Sequence, residues 1–227
     1  MSRAAIALVP ARRASVRVPS KNTRPFFGEF SLLQLKILAL RRCSLVTRIV
    51  VSSDDEVALG QASGLGAEAR LRDPRLCGEY VELRELFETV LEDFREAVVY
   101  WAHPTSPFVL PGTIDRAIEG VLQDNDRCIL GVQRCQDFTW SSPEAPNYDP
   151  GRQPRSQDLP PQWRVTGGIH VATGLNFIRY GRLAFKPMSF LELSYPEALD
   201  IDTGDGWLFC RRIAPVFATD VLGMPGQ

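Results

Sequence analysis

Short continuous apolar runs alternate with stretches of helical period through residues 4–132. Residues 4–9 form the first run, and 46–52, 97–101 and 127–132 repeat the pattern, which is that of strands buried on both faces. Between them the apolar spacing changes to three and four. Residues 31–42 carry Leu32, Leu33, Leu35, Leu38 and Leu40 behind Ser31, a capping residue, and end on Arg41 and Arg42. Residues 54–63 predict a second helix, closed by Gly64 and Gly66. Leu83, Leu86, Phe87, Val90, Leu91 and Phe94 predict a third. Ile114, Ala117, Ile118, Val121 and Leu122 predict a fourth, with Pro111 near its first turn. This alternation predicts an α/β fold, a Rossmann-like doubly wound, mostly parallel sheet with helices on both faces.

The rhythm breaks at residues 133–163, which hold six prolines and no helical period. A long irregular stretch inside a compact domain usually has a function or a partner, so an arm inserted into the sheet domain is expected. The expected division is an α/β domain of residues 1–133 and 186–227, with residues 134–185 as the arm. Residues 169–173 return as a strand and 203–213 as a terminal helix.

Composition narrows the function classes. A formal net charge of −1 gives no electrostatic reason to expect a nucleic-acid partner. The five cysteines are scattered with no C-x-x-C pair, which argues against a disulfide framework or a zinc site. The first apolar run is too short to span a membrane, and Arg12 and Arg13 follow it rather than precede it. A cytoplasmic protein without a membrane segment is expected.

Ligands of open parallel sheets bind beyond the carboxyl ends of the strands, and three polar segments fall there. Pro10-Ala-Arg-Arg-Ala-Ser-Val-Arg-Val-Pro-Ser-Lys-Asn22 holds Arg12, Arg13, Arg17 and Lys21, the hydroxyls of Ser15 and Ser20, and no acid. These groups suit a triphosphate through charge-assisted hydrogen bonds; they also suit a solvated basic loop. Having no glycine, the loop is neither a Walker A nor a G-x-G-x-x-G motif. His103-Pro-Thr-Ser-Pro107 is a stiff turn that fixes the Thr105 and Ser106 hydroxyls. His103 is open to three roles: substrate ligand, acid/base group or turn residue. In Leu199-Asp-Ile-Asp-Thr203 the two carboxylates stand at strand spacing and share one side, as a Mg²⁺ site needs; Asp202 also suits a simple helix-capping role.

Taken together, these segments resemble the acylneuraminate cytidylyltransferase family of CMP-sugar synthetases. The first loop is similar to that family's I-P-A-R-x-x-S-K-x-x-P-x-K-N, and Ile49-Val-Val-Ser-Ser-Asp54 to its I-V-S-T-D. His103-Pro-Thr-Ser-Pro107 resembles Q-P-T-S-P, Arg155-Ser-Gln-Asp-Leu-Pro resembles R-x-Q-D-L-P, and Leu199-Asp-Ile-Asp-Thr203 resembles I-D-I-D-T. The matches keep family order over nearly the whole chain.

The resemblance implies a homodimeric, Mg²⁺-dependent enzyme that joins CTP to a 2-keto sugar acid of the sialic-acid type, releasing pyrophosphate. It implies nucleotide binding by Arg12, Ser15, Arg17, Lys21, Asn22 and Arg72, with Arg12, Lys21 and Asp202 catalytic and Asp200 and Asp202 on the metal. It places His103, Thr105, Arg155, Gln157 and His170 on the sugar acid. The chain departs from the pattern at Val16, where the family has lysine, at His103 for glutamine, and at Thr166-Gly-Gly-Ile-His170 for Asn-Gly-Ala-Ile-Tyr. Most departures fall on the sugar side, which leaves Kdo, pseudaminic, legionaminic or phosphonate acids as alternative acceptors. Two further alternatives are a GT-A-like glycosyltransferase, which shares the D-x-D, and a non-catalytic dimer that binds nucleotide or sugar acid.

Overall fold

The structure, a computed structural model, describes residues 5–15, 17–78 and 80–223, except the side chain of residue 218. The departure at Val16 lies outside the described residues, as do the outermost residues of the expected first strand and of the α/β domain.

The first apolar run forms β1 (Ala5–Pro10) at the centre of the sheet. Its alternate side chains feed different cores, as the period-two geometry of a strand requires. Ala5, Ala7 and Val9 pack with α1 (Leu32–Leu40), α2 (Glu56–Gly64) and α4 (Pro111–Gln123). Ile6 and Leu8 pack on the opposite face with α3 (Leu83–Val90) and α5 (Gly174–Tyr180). A strand apolar on both sides is therefore the axis of a three-layer α/β/α sandwich.

A small hairpin, β2 (Pro25–Phe27) and β3 (Phe30–Ser31), precedes α1. The other main strands are β4 (Val46–Ser53), β5 (Glu68–Leu71), β6 (Val98–Trp101), β7 (Cys128–Cys135), β8 (Gln162–Thr173) and β9 (Met188–Glu192). The seven-stranded order is β5-β4-β1-β6-β8-β7-β9. Only β8 runs antiparallel to its neighbours. The mostly parallel, doubly wound sheet expected from the sequence is therefore present. The chain moves outward from β1 through β4 to β5, then crosses to β6 on the other side of β1, so a topological switch point lies between β1 and β6.

The helix predicted over 31–42 starts on a full capping box: the Ser31 hydroxyl accepts from Gln34 N, and the Gln34 side chain accepts from Ser31 N. The terminal helix, α6 (Gly204–Leu222), runs nine residues beyond the expected end at 213 and contains Pro215. Pro215 and Arg211, four residues before it, are both exposed, so water can take the place of the missing donor. β5 and β9 are not visible in the apolar pattern. β5 is a charged edge strand, Glu-Ala-Arg-Leu, and β9 has only a short apolar core.

The segment that leaves the sheet is shorter than the arm expected over 134–185. Residues 162–185 include β8, which sits between β6 and β7, and α5, whose Phe177 and Ile178 are in the core. Residues 136–161 form the projecting part. It has two short 3₁₀ turns (Pro150–Arg152 and Ser156–Asp158) and an aromatic cluster of Phe138, Trp140 and Tyr148 with ring centroids 4.9 and 6.0 Å apart. The Gln136 side-chain amide donates to the Leu159 carbonyl at 2.8 Å and closes the base of this loop.

β8 pairs with β7 in one register at His170–Val171 and in another at Gln162–Val165, so the residues between bulge out of the ladder. The buried Tyr100 hydroxyl donates to the Gly168 carbonyl at 2.6 Å and anchors this bulge to β6. Tyr100→Phe leaves that carbonyl without its donor in a dry site and is expected to cost about 1–3 kcal/mol of stability. A chemical-denaturation midpoint equal to the wild type's would show that the bulge does not depend on this bond.

Candidate nucleotide site at the switch point

The loops after β1 and β6, the Gly167 bulge and residues 200–202 close around one cleft of about 630 Å³. Its wall brings together Arg12, Ser15, Arg17, Lys21, Asn22, Arg72, His103, Thr105, Asp200 and Asp202. All ten are among the site residues expected from the sequence. Four cations (Arg12, Arg17, Lys21, Arg72) face two carboxylates (Asp200, Asp202), so the cleft is electropositive by two charges.

The first loop is held by its own backbone. Ala11 N donates to the Ser52 carbonyl at 3.0 Å, Arg13 N to Asp54 Oδ1 at 2.8 Å, and the Asn22 carbonyl accepts from Leu33 N at 3.0 Å. Ser20 takes a left-handed conformation, φ 50°, at the tight turn before Lys21. Lys21 is nearly covered and donates to the Ile201 carbonyl at 2.8 Å; its ammonium lies 3.4 Å from Asp202 Oδ1. Arg17 reaches the same oxygen at 3.2 Å from solvent. Arg72 is buried, with Nη2 on the Ser52 carbonyl at 2.7 Å and Nε on the Ser52 hydroxyl at 3.1 Å. Burial lowers its pKa from the usual arginine value, yet a guanidinium keeps its charge. Asn22 Oδ1 is buried with no hydrogen-bond partner among the described residues, an acceptor lacking its donor at the edge of the cleft.

The two histidines are neighbours, with ring centroids 5.8 Å apart in an edge-to-face arrangement. His103 borders the cleft and His170 lies behind it, its Nδ1 buried without a partner among the described residues. Burial, then the Lys36 charge, brings the His103 pKa down to about 4; burial, then His103, brings that of His170 to about 3. Both rings are thus neutral near pH 7, hydrogen-bonding groups rather than cations.

Arg155 and Gln157 do not reach the cleft in this chain. They are exposed on the projecting segment, where Arg155 forks onto Asp158 at 2.8 and 3.1 Å.

Three features escaped the sequence reading. Lys36, on the apolar face of α1, is fully buried and donates to the Ser106 carbonyl at 2.6 Å. A lone lysine three and four places from Leu33 and Leu32, at leucine spacing, was the available signal. Gly167 is packed so closely that a Cβ would stand 2.6 Å from Asp200 Oδ2 and 2.9 Å from the Ser106 hydroxyl. An apolar wall of Leu83, Leu86 and Trp101 faces the cations, assembled from two elements whose spacing in sequence carries no motif.

Among the described residues no group of three or more His, Cys, Asp or Glu side chains could hold a metal by protein ligands alone. Asp200 and Asp202 are different in kind: two carboxylates that could hold a metal, on a cleft lined by four cations. That is the pattern Mg²⁺ uses when a phosphate-bearing substrate completes its shell.

Fold and site together define a nucleotide-binding α/β protein whose ligand cleft opens at the sheet's switch point. Residues 6–148 match the family described as Cytidylyltransferase, and the chain belongs to that family of nucleotidyltransferases. It is 28% identical to the CMP-N,N'-diacetyllegionaminic acid synthase of Legionella pneumophila over 92% of this chain and 95% of that protein. It is 25% identical to N-acylneuraminate cytidylyltransferase A of Danio rerio over 91% of this chain and half of that longer protein. Among solved structures, a CMP:2-keto-3-deoxy-manno-octonic acid synthetase complexed with CTP shares the fold with a TM-score of 0.69 at 14% identity, over 92% of this chain and 97% of that one. The family assignment removes the glycosyltransferase alternative.

Two predictions follow from this geometry. Gly167→Ala forces the Asp200 carboxylate aside and is expected to lower turnover by about tenfold or more, with the unfolding midpoint little changed; wild-type turnover would mean that the Asp200 position is not critical. The histidines govern pH dependence. With folded pKa values below the ordinary 6.5, the unfolded chain binds more protons, so their contribution to stability is present above about pH 6.5 and is lost as pH falls toward 4. Thermal midpoints of wild type and His170→Gln measured from pH 7 to pH 4 should converge, the variant having the shallower slope, and parallel curves would refute the assignment.

Proposed function

We propose that this cytidylyltransferase joins CMP to a 2-keto sugar acid of the nonulosonate type. The observation that carries the proposal is the meeting of Arg17 and Lys21 with Asp202 across one cleft at the switch point. Cations for a triphosphate and a carboxylate able to hold its counter-cation stand within one ligand's length. Similarity to the Legionella pneumophila synthase over nearly the whole of both chains supports the choice of acceptor class.

The anomeric hydroxyl of the acid attacks the α-phosphorus of CTP and gives up its proton to solvent, and the α–β phosphoanhydride bond breaks to release pyrophosphate. Arg12, Arg17 and Lys21 take up the charge that grows on the leaving group, so catalysis is mainly positioning and electrostatics. Arg72, immobilised on Ser52, is a fixed cation that needs no reorganisation. Asn22 Oδ1 accepts from a donor on the nucleoside, either a ribose hydroxyl or the cytosine amine. Asp200 and Asp202 would hold Mg²⁺, which would supply charge neutralisation on the phosphates. His103 and Thr105 face the acceptor as neutral hydrogen-bonding groups, and His170 supports His103 from behind.

A homodimer accounts for Arg155 and Gln157. Both lie on an exposed segment that also carries an aromatic cluster, and the arm of one subunit supplies them to the cleft of the other. A cytoplasmic location agrees with five cysteines that are all free. No helix of the described residues is long and apolar enough to cross a membrane.

The test is pyrophosphate release from purified full-length protein with each nucleoside triphosphate, Mg²⁺ and a panel of neuraminic, legionaminic, pseudaminic and Kdo acids. Release with CTP and a nonulosonic acid, abolished by EDTA, is the expected result. Release with Kdo alone would move the acceptor to the octulosonates. CTP binding without release from any acid would favour the non-catalytic dimer.

A further inference from the structure

Lys36 is 0% exposed on a helix face otherwise made of Leu32, Leu33, Ile37 and Leu40. Among the described residues its one hydrogen bond goes to the Ser106 carbonyl, the last hydroxyl-bearing residue of the Pro104–Pro107 turn. The Ser106 hydroxyl, also buried, reaches Asp200 Oδ1 at 3.4 Å. Next to it, Ile201 N donates to the Thr105 carbonyl at 2.9 Å. Gly167 lies so close to the far side of Asp200 that an added Cβ would displace the carboxylate. An ammonium, a turn and a carboxylate are thus stacked from the core to the cleft floor.

From this stacking, we propose that Lys36 is a positioning residue for cytidylyl transfer, a buried cation that fixes the Pro104–Pro107 turn and, through Ser106, the Asp200 carboxylate at the floor of the cleft. The inference rests on the proposed function for its kinetic readout and on geometry alone for its structural one.

Packing does not explain this lysine. A charge in an apolar core costs desolvation, and here its one hydrogen-bond partner among the described residues is the buried Ser106 carbonyl. Lys36→Met would leave that carbonyl without a donor, so the substitution lowers stability whatever else Lys36 does. Asp200 is an exposed residue, so it does not need Lys36 for its own solvation. Both a packing role and a positioning role predict a lower stability for Lys36→Met, and they differ in turnover. Packing predicts unchanged turnover per folded molecule, and positioning predicts that it falls.

The experiment compares wild type, Lys36→Met, Asp200→Asn and the double variant. Lys36→Met is expected to fold with a lowered midpoint and to lose about tenfold or more in kcat per folded molecule, with CTP affinity by calorimetry within about threefold. In the Asp200→Asn background the Lys36→Met effect should shrink, since the two residues act in one chain of contacts. Independently of any acceptor, the ¹³Cγ resonance of Asp200, assigned by its loss in Asp200→Asn, should move in Lys36→Met. A folded Lys36→Met with wild-type kcat, an effect fully additive with Asp200→Asn, or an unmoved Asp200 resonance would each overturn the inference. If Lys36→Met does not fold, Lys36→Gln takes its place; failure of both would reduce Lys36 to a folding role and overturn it too. A wild type that turns over no acid counts against the proposed function, and the Asp200 resonance then decides the inference alone.

Discussion

One buried ammonium ties the scaffold to the site. Lys36 lies where α1 packs against the sheet, a face that an ordinary helix of this kind fills with leucine. Its bond to the Ser106 carbonyl runs out of the core to the turn after β6, and that turn pairs by backbone with residue 201. Residue 201 in turn accepts from Lys21, at the end of the loop after β1. Segments about 70 and 180 positions apart in the chain are thereby linked in one hydrogen-bonded circuit. A cleft assembled from such distant loops needs this circuit, because precise placement is what the chemistry of phosphate transfer requires.

The electrostatics of the cleft are arranged for exchange. Arg17 and Lys21 share Asp202 Oδ1, and Arg17 and Asp202 are well exposed. An ion pair in that position contributes little to stability, so a triphosphate that replaces it loses little in doing so. Arg72 is the opposite case: buried and hydrogen-bonded twice to Ser52, it cannot swing away. In the proposed function the exposed Arg17 would follow the changing charge of the leaving group, while the fixed Arg72 would set register.

Much of the fold was legible because β1 and its neighbours are apolar on both faces, and α3 and α4 keep helical period over several turns. The charged edge strand β5 and the short β9 were not, since neither has a pattern that distinguishes a strand from a loop. The extent of the arm was overread for a related reason. β8 begins in exposed residues, Gln162 to Val165, and becomes buried only from Thr166, so its first half reads as part of the irregular stretch. In the site, residues within one contiguous loop or a D-x-D were found from their chemistry and from family resemblance. Lys36 and Gly167 were missed because their roles depend on what lies opposite them in space: a turn 70 residues away and a carboxylate on another segment.

This difference also explains why the nucleotide half of the site is better defined than the acceptor half. In the proposed function the groups that take the triphosphate come from the loop after β1 and from Arg72, placed by hydrogen bonds within the subunit. The acceptor side has an apolar wall, two neutral histidines and a space that Arg155 and Gln157 of the same chain do not enter. A carboxylated sugar needs a cation to face its acid group, and in the proposed function Arg12, Arg17, Lys21 and Arg72 are engaged by the triphosphate. The exposed Arg155 is the complementary charge, which is why in the proposed function it serves the cleft of a second subunit.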